Sequence, residues 1–458
     1  MMDISVVGTG YVGLVSGVCL ADKGHRVICV DLDQDKVTQI NAGQSPIHEE
    51  GLDALLQGNI GSGLTATTDL AHAVSQSTLT IIAVGTPFDG SAIDTSYIEA
   101  ASKAIGAALR DKEEFHTVVV KSTVVPGTTD KVVLPILEQA SGKRAGRDFG
   151  LSMNPEFLRE GAAIGDFMDP DRIVYGGTDE RTLSELDELY GVFEDVDKIR
   201  TTNKTAEMIK YTANSLLATL ISFSSEMGNL CAGLGEIDIV DVMKGVHLDR
   251  RLSPILENGD RVVPAITTYI EAGCGFGGSC FPKDVKALIS HGKAAGQEMN
   301  ILQSVMDINQ SQPLQLLDLL KKHFSSLQGL KIAVLGLAFK PGTDDMRESA
   351  AIPIVKALHK EQAEISAYDP IAMDEARKRF ADIPIQYAAS LDDAVQDADA
   401  IVVVTTWDEF ASLPKIINAM DSPPLLVDGR RMIDKHAVPR YEGIGLSLAQ
   451  AETQTATP

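Results

Sequence analysis

No stretch of this 458-residue chain approaches the ~18 consecutive apolar residues that a membrane span requires, so no membrane partner and a soluble protein are expected. The opening "MMDISVVGTGYVG" runs straight into a strand pattern, without a basic leader region or cleavage site, so no export signal is expected. Cysteine is sparse. The five present, Cys19, Cys29, Cys231, Cys274 and Cys280, are odd in number and lack CxxC spacing or a nearby histidine cluster. They predict reduced thiols in a cytoplasm, with no disulfide framework and no metal site. Basic residues are also short, 40 against 64 acidic for a formal charge of -24, which argues against a nucleic-acid partner. Any anionic ligand must therefore be held by local groups.

What is present is ordinary globular composition, 44% hydrophobic and 23% charged, at a length that allows two or three domains of about 150 residues. Residues 3–8, "DISVVG", read as a strand, "GTGYVG" as a turn into a helix, and "RVICVD" as a second strand. Apolar runs at 79–85, 117–123 and 172–177 continue the alternation, so residues 1–203 are predicted as a doubly wound α/β domain. From Lys204 to about Cys231 apolar residues fall at helical spacing without proline, which predicts one long helix. The rest of 204–325 reads as largely helical around a glycine-rich loop. Residues 326–450 return to α/β logic, with strand candidates in "LKIAVLG", 364–369, 400–406 and 425–430. The tail 451–458 has no periodicity and is expected to be disordered. The fold class is thus α/β, with two Rossmann-like domains joined by a long central helix.

In "GTGYVG", Gly8, Gly10 and Gly13 permit a tight turn, close approach of a pyrophosphate, and helix packing on the sheet. Asp31, ending the second strand, would accept hydrogen bonds from a ribose and favours NAD over NADP; the plain alternative is a glycine-rich α/β turn. Lys210 and Asn214 lie four apart, on one helix face, and suit a general acid/base or an oxyanion contact. They would equally serve as a solvated lysine and a surface amide. Glu156 and Glu160 in "NPEFLREG" and Thr123 in "KSTVVPG" follow strand ends, where Rossmann ligands sit, although the two glutamates could form an exposed helical turn. In "GCGFGGSCFPKD", Cys280 follows residues free to take positive φ, a setting that suits a nucleophile better than a packed core thiol. Lys283 and Asp284 are at hand for charge and water activation, and Cys274 reads as the more structural of the two cysteines.

Assembled in order, "GTGYVG", "VGTPF", "KSTVVPGTT", "NPEFLREGAAIGDFMDPDRIVYG", "EMIKYTAN", "GFGGSCFPKD", "GLAFKPGTDDMRES" and "VDGRR" resemble the nucleotide-sugar dehydrogenase family, in its UDP-glucose 6-dehydrogenase branch. The resemblance spans nearly the whole chain. It implies an N-terminal NAD domain, a central helical dimerisation region built on the long helix, and a C-terminal domain for the nucleotide of a UDP-sugar. It also implies a homodimer and a two-step NAD-dependent oxidation at C6, with Cys280 as nucleophile, Lys210 and Asp284 as acid/base and oxyanion groups, and Asn214 as a substrate contact. Thr123, Glu156 and Glu160 correspond to positions near catalytic water, cofactor and substrate. The cofactor set it implies adds Tyr11, Val12, Asp31, Lys36, Thr86 and Arg347 to the glycines. The substrate set adds Phe157, Leu158, Phe276, Gly277, Phe339, Lys340 and Arg430.

One segment departs from the family pattern: "SPILENGDRVVPAITTYIEA" (253–272) is longer than usual. It leaves sugar identity and the dimer contact open, with Arg251, or else Arg250, as the arginine that reaches a neighbouring subunit. GDP-mannose or a UDP-N-acetylhexosamine is the alternative substrate, and an idle nucleotide-sugar sensor the alternative class. A single-step hydroxyacid dehydrogenase would leave Cys280 and the second α/β domain unexplained.

Overall fold

A computed structural model describes residues 1–447; the expected tail 451–458 lies outside the described residues. The chain divides into two compact units. One comprises Met1–Ala213 with Ser290–Gly296, the other Asn214–Ile289 and the chain from Gln297 onward.

The first unit is built on an eight-stranded sheet. Its strands are β1 (Asp3–Val7), β2 (Arg26–Val30), β3 (Leu64–Thr67), β4 (Leu79–Ile82), β5 (His116–Val120), β6 (Phe149–Met153), β7 (Ile173–Gly177) and β8 (Lys198–Thr201). They lie in the order β3-β2-β1-β4-β5-β6-β7-β8, and every neighbouring pair is parallel except β6 with β7. Central strands such as HTVVV and LTII are buried throughout, as expected of a parallel sheet covered by helices on both faces. The order reverses between β1 and β4, so the carboxyl ends of these strands form the crevice in which such sheets bind ligands.

Strands β3, β6 and β8 were not predicted. β3 is short, and β8 is a half-exposed edge reading KIRT. β6 (FGLSM) contains Gly150, where a Cβ would stand 2.4 Å from Thr182 Oγ1 and 2.7 Å from Thr117 Oγ1. Its glycine is a packing requirement that reads locally as a breaker.

The second unit repeats the scheme with β9 (Lys331–Leu335), β10 (Glu364–Tyr368), β11 (Ile385–Tyr387), β12 (Ala400–Val403), β13 (Leu425–Asp428) and β14 (Tyr441–Gly443). The order is β11-β10-β9-β12-β13-β14, parallel throughout. The two unpredicted strands, β11 and β14, are three-residue edges. Both Rossmann-like sheets and the long central helix are therefore present.

That helix is continuous from Asn203 to Leu234 and is followed by Gly235 at φ +81°, the left-handed conformation that ends helices without a Cβ penalty. Within the second unit, Gly228 lets the helix approach Ala272 closely: a Cβ there would stand 2.9 Å from the Ala272 methyl.

Candidate active site

Three features of the first unit fit a dinucleotide. Gly8 takes φ +96°, and a Cβ on it would meet the Ala83 carbonyl oxygen at 2.8 Å; at Gly13 it would fall 1.8 Å from the Gly8 oxygen. These two glycines are demanded by the turn and by helix packing. Gly10 is different. It is exposed, and a Cβ there meets no protein atom within 4 Å, so the open space lies on the ligand side. Gly10 also precedes the helix Tyr11–Asp22 and gives it no side-chain cap, leaving first-turn N–H groups available to a phosphate.

Asp31 accepts from the Thr9 N–H at 2.8 Å, from the Thr9 hydroxyl at 2.6 Å and from the Asp33 N–H at 3.0 Å. Burial opposes its ionisation, but these donors and Lys36 outweigh it and hold the carboxyl below its ordinary value. Half-exposed and anionic, it has acceptor capacity left for a ribose. Thr86 donates to the Thr123 carbonyl at 2.7 Å, joining the loops after β4 and β5. The Tyr11 side chain is committed to Glu49, which also receives the Gly161 and Ala163 N–H groups at 2.7 Å. At Tyr11 and Val12 it is thus the backbone of the first helical turn that can face a phosphate.

The loop after β6 carries Glu156 in a buried, non-helical position, not on an exposed helical turn. Its Oε1 pairs with Lys210 Nζ at 2.8 Å and its Oε2 accepts the Leu158 N–H at 2.7 Å. Burial works against the carboxylate, yet Lys210, the Leu158 N–H and Lys121 together hold it ionised below its usual range. Phe157 carries a cation on each of two contacts, Arg172 at 3.9 Å and Lys210 at 5.5 Å from its ring centroid. Glu160 is half-buried in the same loop. Lys210 is thus a buried, ion-paired amine, not a solvated one.

In the second unit Cys280 is half-buried and immediately precedes the helix Phe281–Ala294, whose first turn closes through the Asp284 N–H onto the Cys280 carbonyl at 2.8 Å. The positive end of the helix dipole favours anionic sulfur there. Asp284, 1% exposed, accepts from Asn214 Nδ2 at 2.7 Å and from Lys283 Nζ at 2.8 Å.

The glycine-rich loop before Cys280 is rigidly held. Asn309 exchanges two hydrogen bonds with the Phe276 backbone, Gln312 donates to the Gly273 carbonyl at 2.8 Å, and Arg430 Nη1 donates to the Gly275 carbonyl at 3.0 Å. At Gly277 a Cβ would stand 2.2 Å from the Glu348 oxygen; at Gly278, with φ +84°, it would press on the Phe339 ring. Cys274 is wholly buried, its thiol donating to the Val404 carbonyl at 3.3 Å and pushed up by burial, which makes it a core residue.

Arg347 pairs with Asp345 at 2.8 Å, and Lys340 lies 5.7 Å from the Phe339 ring centroid. Arg251 is exposed and pairs with Asp249 at 2.5 Å. No group of three or more potential metal ligands occurs among the described residues.

Sequence reasoning overlooked the groups that hold these residues in place. Asn309, on the helix Asn300–Ser311, and Gln312, just past its end, pin the loop. Glu207, buried on the long helix, accepts the N–H groups of Gly127 and Thr129 and so fixes the loop that follows Thr123. Lys121 begins "KSTVV" but is buried beside Glu156. The only local signal was their polarity within apolar-periodic segments.

Comparison with known proteins agrees with this geometry. Residues 2–194, 204–311 and 333–435 match the NAD-binding, central and UDP-binding domains of the UDP-glucose/GDP-mannose dehydrogenase family. The chain belongs to that family. The UDP-glucose 6-dehydrogenase AglM of Haloferax volcanii is 42% identical over 97% of this chain and 100% of its own. The GDP-mannose 6-dehydrogenase of Pseudomonas aeruginosa is 39% identical over 97% and 100%. Among solved structures, a UDP-glucose dehydrogenase from Pyrobaculum islandicum superposes with a TM-score of 0.88 at 37% identity, covering 98% of both chains. As a member of the UDP-glucose/GDP-mannose dehydrogenase family the chain is an NAD-dependent oxidoreductase with a UDP-binding domain. No helix among its described residues is long and apolar enough to cross a membrane.

Proposed function

We propose that this chain oxidises C6 of UDP-glucose to the carboxylate of UDP-glucuronate, in two hydride transfers with the aldehyde captured on Cys280. The observation that carries the reading is the half-buried Cys280 at a helix N-terminus, on a loop pinned from three directions, within the same unit as the Asn214–Asp284–Lys283 network. NAD, when bound, accepts the hydride of each oxidation.

The chain's own groups handle protons and carbon. Lys210, in its neutral form and with Glu156 beside it, takes the proton of the C6 alcohol as it becomes an aldehyde. Cys280 Sγ then adds to the aldehyde carbon, forming a C–S bond and a thiohemiacetal. Loss of its hydride, with the hydroxyl proton passing to Lys210 once more in its neutral form, leaves a thioester. Water, oriented by Asp284 and Thr123, adds to the thioester carbon, and the C–S bond breaks to release the carboxylate and restore the thiol. Asn214 donates toward the oxygen that carries charge in these steps. Glu160 and Arg347 complete the cofactor contacts; Leu158, Phe276, Phe339, Lys340 and Arg430 hold the nucleotide sugar.

The choice of sugar rests on two comparisons. The UDP-glucose 6-dehydrogenase AglM is 42% identical against 39% for the GDP-mannose 6-dehydrogenase, and residues 333–435 match a UDP-binding domain. GDP-mannose remains the second reading, because curated GDP-mannose 6-dehydrogenases are as much as 39% identical. We assign the protein to the cytoplasm, on the ground that its five cysteines are odd in number and follow no disulfide-framework spacing. We also assign a homodimer through the central region, with Arg251 reaching the partner. Leu216, Phe223 and Leu230 lie at seven-residue intervals on the long helix, each about half exposed, an apolar stripe suited to a second copy.

The test is NADH formed per sugar consumed, with limiting UDP-glucose or GDP-mannose in parallel. Two per UDP-glucose is the expected result, and two with GDP-mannose alone would move the function to the second reading. Cys280→Ser should abolish uronate formation while NAD binding stays nearly intact. Uronate at close to the original rate would remove Cys280 from the mechanism.

A further inference from the structure

Lys121, just past the end of β5, is 4% exposed. Its Nζ donates to Asn154 Oδ1 at 2.9 Å, and that amide is held in turn by the Val174 carbonyl, which accepts from Nδ2 at 2.7 Å, and by the Tyr190 hydroxyl. The ammonium also lies 6.0 Å from the Phe167 ring centroid. The charged groups that act on it are Glu156, on the loop after β6, and Lys210, on the long helix. Tyr190, which donates to the same amide oxygen, is a further titratable neighbour. One buried carboxylate is therefore set among two buried ammonium groups.

A buried charge is costly, and an apolar side chain of similar length would fill the space without that cost. Burial pushes the Lys121 amine down to about 8, with Glu156 opposing and Lys210 adding to the effect, so it still carries its charge at neutral pH.

We infer that Lys121 is a positioning residue for the reaction: held by Asn154, it supplies a second positive charge near the Lys210–Glu156 pair that sets how readily Lys210 holds its proton. This rests on the reading of Lys210 as the group that handles the C6 proton. The like charge disfavours the Lys210 ammonium. Removing it must move the Lys210 titration to higher pH.

The experiment is the pH profile of kcat for Lys121→Met and Lys121→Arg, with NAD affinity and thermal unfolding recorded alongside. For Lys121→Met the limb governed by Lys210 should move up by about 0.5 to 1 pH unit, a change of roughly three- to tenfold in rate on that limb. Lys121→Arg, which keeps the charge, should retain the original limb. A Lys121→Met profile that superimposes on the unaltered enzyme overturns the inference. Should that variant not fold, Asn154→Asp carries the test, since the added carboxylate must also move the limb upward and an unmoved limb overturns the inference. Lys210→Met separates the two readings: if it keeps its rate within about tenfold, the role of Lys210 itself fails, independently of Lys121.

Discussion

The first turns of the two sheets are built alike and end differently. Gly8 donates its N–H to the Val30 carbonyl at 2.8 Å, and Gly336 donates to the Tyr368 carbonyl at 2.9 Å. Both take positive φ, +96° and +84°, and neither has room for a Cβ. Each sheet also ends its second strand with an aspartate that receives N–H groups from this turn. Asp31 spends one oxygen on Thr9 and the other on the Asp33 N–H, and remains half-exposed. Asp369 is 1% exposed and accepts from Leu337, Ala338, Ile371 and Ala372 backbone N–H groups and from Trp407 Nε1.

In the first unit the helix begins at once, at Tyr11; in the second it waits until Ala351, after the "LAFKPGTDDMRES" loop. The same frame is left open to a dinucleotide in one case. In the other it closes on itself and offers a long loop to a ligand.

The comparison breaks first at Gly13. Gly13→Ala puts a Cβ 1.8 Å from backbone oxygen, and the first unit should lose at least ~3 kcal/mol of stability in a denaturation midpoint. Gly10→Ala, with no protein atom to strike, should fold normally and show its defect in NAD titration alone. Equal stability for the two variants would refute the assignment of Gly10 to the ligand side.

The next largest effect is expected at Asp369. Its replacement by Ala strands several buried donors and should cost about 2–4 kcal/mol, read as a lower thermal transition of the second unit with NAD affinity unchanged. Asp31→Ala should do the reverse, weakening NAD by roughly 10- to 100-fold with little change in melting. Because the Asp31 carboxyl lies below its ordinary value, NAD affinity should stay flat from neutral pH through the usual carboxylate range and fall only as acid protonates it below that range.

The smallest effect sharpens the contrast in acid. In the second unit Asp238 is clamped by Arg431 and Lys435, each at 2.8 Å, and despite burial its carboxyl is held down to about 2. A lowered folded-state value means that its stabilisation is complete above the unfolded carboxylate value and is lost as pH falls toward about 2. In the first unit Glu207 is raised by burial against its hydrogen bonds, so its contribution runs the other way, greatest in acid and lost as pH rises. Asp238→Asn should therefore flatten the acid-side slope of the second unit's stability, and Glu207→Gln should not. Parallel slopes in both variants would show that neither group governs acid sensitivity.

Features that depend on near neighbours along the chain were legible in the residues alone. The β-branched runs of β1, β2, β4, β5 and β7 are buried on both faces and so read as strands; "GTGYVG" between β1 and β2 reads as a dinucleotide turn; the proline-free run from Lys204 to about Cys231 reads as a helix, which the structure extends to Asn203–Leu234. Cys280 stood out because its own loop is rich in glycine. β3, β8, β11 and β14 escaped because short edge strands carry little burial pattern, and β6 because its glycine answers to Thr117 and Thr182.

Which polar residues are buried, and what they hold, emerged from the folded chain. That Glu156 joins Lys210, that Asn309 and Gln312 fix the cysteine loop, and that Asp369 is saturated while Asp31 is open are contacts between residues far apart in the chain. Such contacts leave no period in the sequence, because a hydrogen bond is set by distance in space and a helix or strand pattern by distance along the backbone.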